Sequence, residues 1–164
     1  MRDLIYDQTS ENGSKVLEKR ELKKLRDSFM GRIPETQRSV AVKFAWHEVW
    51  SKVSRYMNKE ELMKVGEAMV YAANAHGEQK RSTGDPYIVH CLNVASILAD
   101  MQTDFTTVSA ALLHDVLEDT SITGEQLISD FSEEVFILVD GVTKLGKLPF
   151  KSFEDYQSEN LRKM

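Results

Sequence analysis

Apolar residues in this chain recur at three- and four-residue intervals, and nowhere do they alternate with period two over a useful length. A chain patterned this way offers no strand with one buried face, and its spacing reads as apolar surface buried between helices. The stripes mark the elements. Leu17, Leu22 and Leu25 form a sparse stripe in the charge-rich segment 14–30, which Gly31-Arg32-Ile33-Pro34 breaks. Over 36–57, Val40, Phe44, Trp46, Val49, Trp50, Val53 and Tyr56 share a broad face. Asn58 with Glu61 reads as a capping box that opens a helix to about His76. Residues 87–101 form a helix with Ile88, Leu92, Ala95 and Ala99 inward, and the next helix starts at Thr103 or Asp104 and runs to about Glu118. Thr123 with Gln126 is a second capping box. Ser132 caps a helix carrying Val135, Phe136, Leu138, Val139 and Val142. Gly141, Gly146 and Pro149 loosen the following stretch, and a last helix begins near Ser152. The predicted fold class is all-α, with about seven or eight helices.

The 164 residues, 41% hydrophobic and 29% charged, suffice for one packed domain. The division expected along the chain is an N-terminal extension over residues 1–50, helical or partly disordered, and a domain over residues 51–164. The formal charge of −5 gives no general attraction to nucleic acid or to an anionic membrane. A polyanionic substrate would therefore need a local cation. Cys91 is the only cysteine, so no intrachain disulfide forms, in keeping with a reducing compartment. No run approaches the ~18 apolar residues of a membrane span, and the N-terminus lacks a signal-peptide hydrophobic region. The expected location is the cytoplasm.

The segment from Ala110 to Thr120 concentrates the chemistry. A mostly apolar helical stretch carries His114, Asp115, Glu118 and Asp119 and no lysine or arginine. Burying such groups without partners costs several kcal/mol, and a divalent metal ion would satisfy them. Imidazole with carboxylate suits zinc, iron or manganese. His114 and Glu118 lie one helical turn apart, with Asp115 about a hundred degrees round. A third ligand must come from another helix, and His90, also in an apolar stretch, is the best candidate. Glu118 and Asp119, adjacent carboxylates beside such an ion, can orient and deprotonate a water.

Arg81-Ser82-Thr83-Gly84 places a cation, two hydroxyls and a glycine in one short loop, a set able to grip phosphate oxygens or ribose hydroxyls. Other candidates have plainer explanations. His76 closes a helix, where an imidazole interacts well with the dipole. His47 reads as an ordinary histidine, Trp46 and Trp50 as packing, and Cys91 as no ligand, since it has no second thiol.

Together these residues resemble a known family. His76 to His90, in the order His-Gly-Glu-Gln-Lys-Arg-Ser-Thr-Gly-Asp-Pro-Tyr-Ile-Val-His, is similar to the opening of the HD hydrolase domain of RelA/SpoT homologues, the bifunctional (p)ppGpp synthase/hydrolases of the stringent response. Leu112 to Thr120 resembles their HDxxED signature. Val139 to Leu145 and Glu159 to Met164 resemble two further signatures, so the likeness spans roughly residues 51–164 in order. It implies an all-α HD-domain helical bundle holding one divalent ion, usually manganese (Mn2+). It implies metal ligands at His90, His114 and Asp115, water-activating acids at Glu118 and Asp119, and nucleotide contacts from Arg81, Ser82 and Thr83. The implied reaction removes pyrophosphate from the 3′ position of ppGpp or pppGpp, leaving GDP or GTP. Full-length relatives are expected to associate with ribosomes or regulatory proteins.

Three departures stand out. The family often carries Arg-Lys-Ser-Gly where this chain has Arg81-Ser82-Thr83-Gly84, and proline where it has Cys91. The family's last metal-ligating aspartate lies beyond the Glu159–Met164 segment, so the sequence is expected to be a C-terminally truncated HD domain. Two other readings fit the same residues: an HD phosphohydrolase acting on another nucleotide, and a truncated non-catalytic HD module.

Overall fold

The computed structural model describes residues 17–146. The tail at 1–13, the helix expected near Ser152 and the Glu159–Met164 signature lie outside these residues. Within them the chain forms eight α-helices and one 3-10 turn: α1 Lys19–Met30, the 3-10 turn Glu35–Gln37, α2 Val40–Val53, α3 Lys59–His76, α4 Ile88–Asp100, α5 Phe105–Leu113, α6 Val116–Asp119, α7 Gly124–Asp130 and α8 Glu133–Gly146. The all-α expectation holds among the described residues. Among these residues the one extended contact is an isolated antiparallel bridge between Lys80 and Pro86, at the base of the Arg81 loop.

Local chemistry starts most of the helices. The Asn58 carboxamide accepts from the Glu61 amide while the Glu61 carboxylate accepts from the Asn58 amide, at 3.0 and 2.8 Å. Thr123 and Gln126 reciprocate in the same way at the head of α7. Asp104 caps α5 through the Thr107 amide at 2.8 Å, and Ser132 caps α8 through the Val135 amide at 3.1 Å. Each such cap satisfies amides that no helical carbonyl can reach, worth about 1 kcal/mol. Glu18 and Glu21 form a further capping box before α1, which the sequence pattern does not announce.

α3 is the central helix, packed against α1, α4, α5 and α6; α2 lies along α4, and α8 packs on α5, α6 and α7. Phe29, Trp46 and Trp50 pack edge-on or tilted at 5.3–6.3 Å between ring centroids, so the tryptophan pair does serve packing. They share one core with Leu62, Val65, Met69, Ile88, Leu92, Leu112 and Val139. Position 50/51 falls inside α2, and buried residues on both sides of it belong to that core. Lys52 ties α2 to α4 through the Ser96 hydroxyl and the Asp100 carboxylate, both at 2.7 Å. Gln37 donates to the Ala73 carbonyl at 2.8 Å and so clamps the chain before α2 onto the end of α3.

The structure corrects three expectations. The 36–57 stripe is interrupted: Ser39 starts a new helix, and Val40 and Phe44 face outward while Val42, Ala45, Trp46, Val49, Trp50 and Val53 turn in. α8 runs through Gly141 without loosening, because its neighbours keep the helical ladder. Along α8 Val135, Val139 and Thr143 are buried, whereas Leu138 and Val142 are exposed. The helix expected to run to Glu118 ends at Leu113, and α6 follows as a separate turn.

Candidate metal centre

That break builds the site. Asp115 adopts φ −95° and ψ −2°, between the helical and extended wells, and its carbonyl then accepts from both Glu118 and Asp119 amides. On an unbroken helix the His114 and Asp115 side chains would diverge by about a hundred degrees. Here Asp115 Oδ2 lies 3.0 Å from His114 Nε2. α4 supplies the third group from its first turn: His90 Nε2 is 3.4 Å from Asp115 Oδ2 and 3.2 Å from His114 Nε2. The three donor atoms all lie within 4.8 Å of one another, the only such set of histidine, cysteine or acidic groups among the described residues.

Chemistry and spacing both fit a metal ion. Two imidazole nitrogens facing each other at 3.2 Å with a carboxylate beside both form a donor set suited to a divalent cation. Cis ligands of an octahedral ion with bonds of about 2.1 Å are separated by about 3 Å, close to the three distances found. The supporting hydrogen bonds point the lone pairs inward. The Ala111 carbonyl accepts from His114 Nδ1 at 2.7 Å, so this nitrogen carries the proton and Nε2 is free to ligate. The Tyr87 hydroxyl donates to Asp115 Oδ2 at 2.8 Å.

The electrostatics follow from the same contacts. Burial lowers the pKa of His90, and the charge of His114 lowers it further. Burial also works against protonation of His114, but the Asp115 carboxylate and the Ala111 carbonyl outweigh it and raise the pKa. For Asp115 burial acts upward, yet hydrogen bonds from His114 and Tyr87 hold the carboxyl below its usual range. Tyr87 is kept protonated, first by burial and then by Asp115 and Asp119.

The other sequence-selected residues take separate positions. Glu118 and Asp119 are exposed on α6 and are not among the three converging donors. Arg81, Ser82 and Thr83 are exposed in a loop closed by Arg81 N–H to Asp85 O and Gly84 N–H to Arg81 O, each 2.9 Å. Gly84 takes φ 89°, a backbone that favours glycine. The Thr83 hydroxyl donates to the Asp85 carboxylate at 3.0 Å, and the charge of Arg81 reaches His90. Cys91 is fully buried outside the cluster, its thiol pushed up to about 12 by burial. His47 is exposed beside Arg26. Tyr87 is a residue that sequence reasoning missed. Its only advance signal was its place between the Arg81 loop and His90.

Comparison with known proteins adds a second line. A family model described as an HD domain matches residues 68–164. The chain is 47% identical over 109 residues to the guanosine-3′,5′-bis(diphosphate) 3′-pyrophosphohydrolase of Vibrio cholerae, covering 66% of this chain and 16% of that protein. It is 44% identical over 112 residues to the bifunctional (p)ppGpp synthase/hydrolase SpoT of Escherichia coli, covering 68% and 16%. It is 45% identical over 118 residues to the GTP pyrophosphokinase rsh of Brucella ovis, covering 72% and 16%. The chain thus spans about a sixth of the length of the curated relatives it matches.

Proposed function

The chain belongs to the HD-domain family, and on that premise we propose that it hydrolyses the 3′-pyrophosphate ester of (p)ppGpp to GDP or GTP plus pyrophosphate. The observation that carries this reading is the convergence of His90, His114 and Asp115 within 4.8 Å. The names of the similar proteins supply the substrate.

In the proposed site His90, His114 and Asp115 hold one divalent ion, manganese in this reading. When bound, such an ion polarises a phosphate oxygen and acidifies a water. The chain's own groups do the rest. Glu118 and Asp119, both exposed on α6, align the attacking water and take its proton. The hydroxyl adds to the 3′ phosphorus, the bond from phosphorus to the ribose O3′ breaks, and the oxygen leaves with a proton. Arg81 meets the phosphate charge, and Ser82 and Thr83 offer hydroxyls to the nucleotide. Tyr87, donating to Asp115, keeps that carboxylate turned to the centre. No described helix is long and apolar enough to cross a membrane, and the reading assigns the chain to the cytoplasm, with the alarmone as its partner.

Ser82 favours one second reading, hydrolysis of a different nucleotide, because a hydroxyl stands where the resembling family often has lysine. A panel decides between them. The 164-residue chain with Mn2+ is incubated with ppGpp, with deoxynucleoside triphosphates and with cyclic nucleotides. GDP and pyrophosphate from ppGpp are expected, falling at least about a hundredfold in Asp119→Asn, the lower range for lost general-base catalysis. Turnover of another nucleotide alone would move the assignment to the second reading, and full activity in Asp119→Asn would remove that residue's role.

A further inference from the structure

His76 is buried to 2% exposure at the end of α3, yet it is not one of the converging donors. Its Nε2 lies 4.0 Å from Cys91 Sγ, and its Nδ1 lies 3.0 Å from Gln79 Oε1. Gln79 Nε2 then lies 2.7 Å from the backbone carbonyl of Asp119. One group fixes every direction in this series. A carbonyl oxygen only accepts, so the Gln79 atom facing Asp119 is the NH2 and the atom facing His76 is the oxygen. That oxygen also accepts, so His76 carries its proton on Nδ1. Its Nε2 lone pair then faces the Cys91 S–H, a weak donor. Cys91 to His76, His76 to Gln79 and Gln79 to Asp119 all run one way.

The series ends where α6 needs it. Asp119 is the last residue of a four-residue helix, whose final carbonyls have no intrahelical partner. Gln79 supplies one from the far side of the site. The backbone carbonyl of Gln79 also accepts from the Tyr87 amide at 2.9 Å, which closes the Arg81 loop. His76 stacks on the Tyr87 ring at 4.6 Å between centroids. One buried imidazole and one glutamine thus set the register of the loop, of Tyr87 and of α6.

We infer that Gln79, locked by His76, is a positioning residue that holds the Asp119 backbone, and with it the Asp119 carboxylate, against the Arg81 loop. The inference rests on the role of Asp119 proposed above. Gln79→Leu breaks both links. Gln79→Glu still accepts from His76 but cannot donate to Asp119. His76→Phe keeps a ring beside Tyr87 without the N–H, and His76→Asn restores a donor.

The expected result is a loss of kcat on ppGpp of roughly ten- to a hundredfold in the first three variants, the usual cost of removing an outer-shell partner. KM and Mn2+ affinity stay within about twofold, and His76→Asn recovers most of the His76→Phe loss. Two readouts need no turnover. Amide hydrogen exchange over residues 115–120 accelerates in Gln79→Leu and Gln79→Glu, and imidazole nitrogen shifts of the unmutated chain show His76 protonated on Nδ1. Unchanged exchange in both Gln79 variants, or a His76 proton on Nε2 alone, overturns the inference. So does a kcat loss matched by equal losses of Mn2+ affinity and melting temperature, which marks a general scaffold role. If the unmutated chain does not turn over ppGpp, the proposed function fails by itself, and exchange with the tautomer decides the inference.

Discussion

Asp115 Oδ2 is approached by the Tyr87 hydroxyl at 2.8 Å, by His114 Nε2 at 3.0 Å and by His90 Nε2 at 3.4 Å. Of these only the hydroxyl keeps the carboxylate in place when the histidines turn their lone pairs to a metal, because a phenol beside a carboxylate can only donate. Tyr87→Phe removes that donor and keeps the ring on His76. The expected outcome is an Mn2+ affinity about ten- to a hundredfold weaker, read from the free-ion signal in a spin-resonance titration, with the helical fold intact. Equal affinity in the variant would mean that the two imidazoles alone orient Asp115. His90, His114 and Asp115 were legible in the sequence because polar, ligating groups in apolar helical stretches need a reason to be there. Tyr87 and Gln79 were not. A tyrosine at a helix start reads as packing and a glutamine as surface, and their roles depend on α3, α4 and α6 meeting in space.

At the scale of elements, α1 docks on α3 through a notch. A Cβ built on Gly66 would fall 2.2 Å from the Phe29 ring, which is 1% exposed. No side chain fits there without displacing the ring, so Gly66→Ala must push Phe29 off Trp46 and Trp50. The expected cost is about 1–3 kcal/mol of overpacking, measured by urea unfolding. Phe29→Leu in the Gly66→Ala background should return part of it, since the two sites share one contact. Losses that simply add would show that the notch is not what seats α1. Caps were the readable part of the element plan: Asn58 with Glu61 and Thr123 with Gln126 declare helix starts through chemistry local to four residues. The break after Leu113 was unreadable for the opposite reason. Phe105, Val108, Leu112 and Val116 keep helical spacing straight through it, while Asp115 at the turn meets His90 of α4 and Tyr87 just before that helix. Likewise Gly141 looks like a breaker in one dimension, yet in the folded chain it lies within α8 with open space where a Cβ would stand.

For the whole molecule, a bound ion would join α4 to the α5–α6 junction, two pieces of chain that separate on unfolding. Ligand binding to the folded state alone stabilises it by about 2.7 kcal/mol at a hundredfold excess over Kd. For a chain of this size that corresponds to about 5–10 °C in melting temperature. Mn2+ should give this rise at pH 8, and a chelator should reverse it. Acid should shrink it, and the sign follows from His114. Its pKa is raised from the ordinary 6.5, so protons begin to compete for its Nε2 already above that pH, whereas His90, lowered by burial and by its neighbour's charge, stays neutral longer. In the metal-free protein the same raised pKa acts in the other direction. The stability that His114 contributes is complete below its unfolded value of 6.5 and is lost as pH rises through the folded one. The difference between melting temperatures with Mn2+ and with chelator should therefore contract from pH 8 to pH 6. Asp115→Asn should flatten it at both. An increment that is the same at pH 6 and pH 8 would show that the ion stabilises the chain from somewhere other than the His90, His114 and Asp115 cluster.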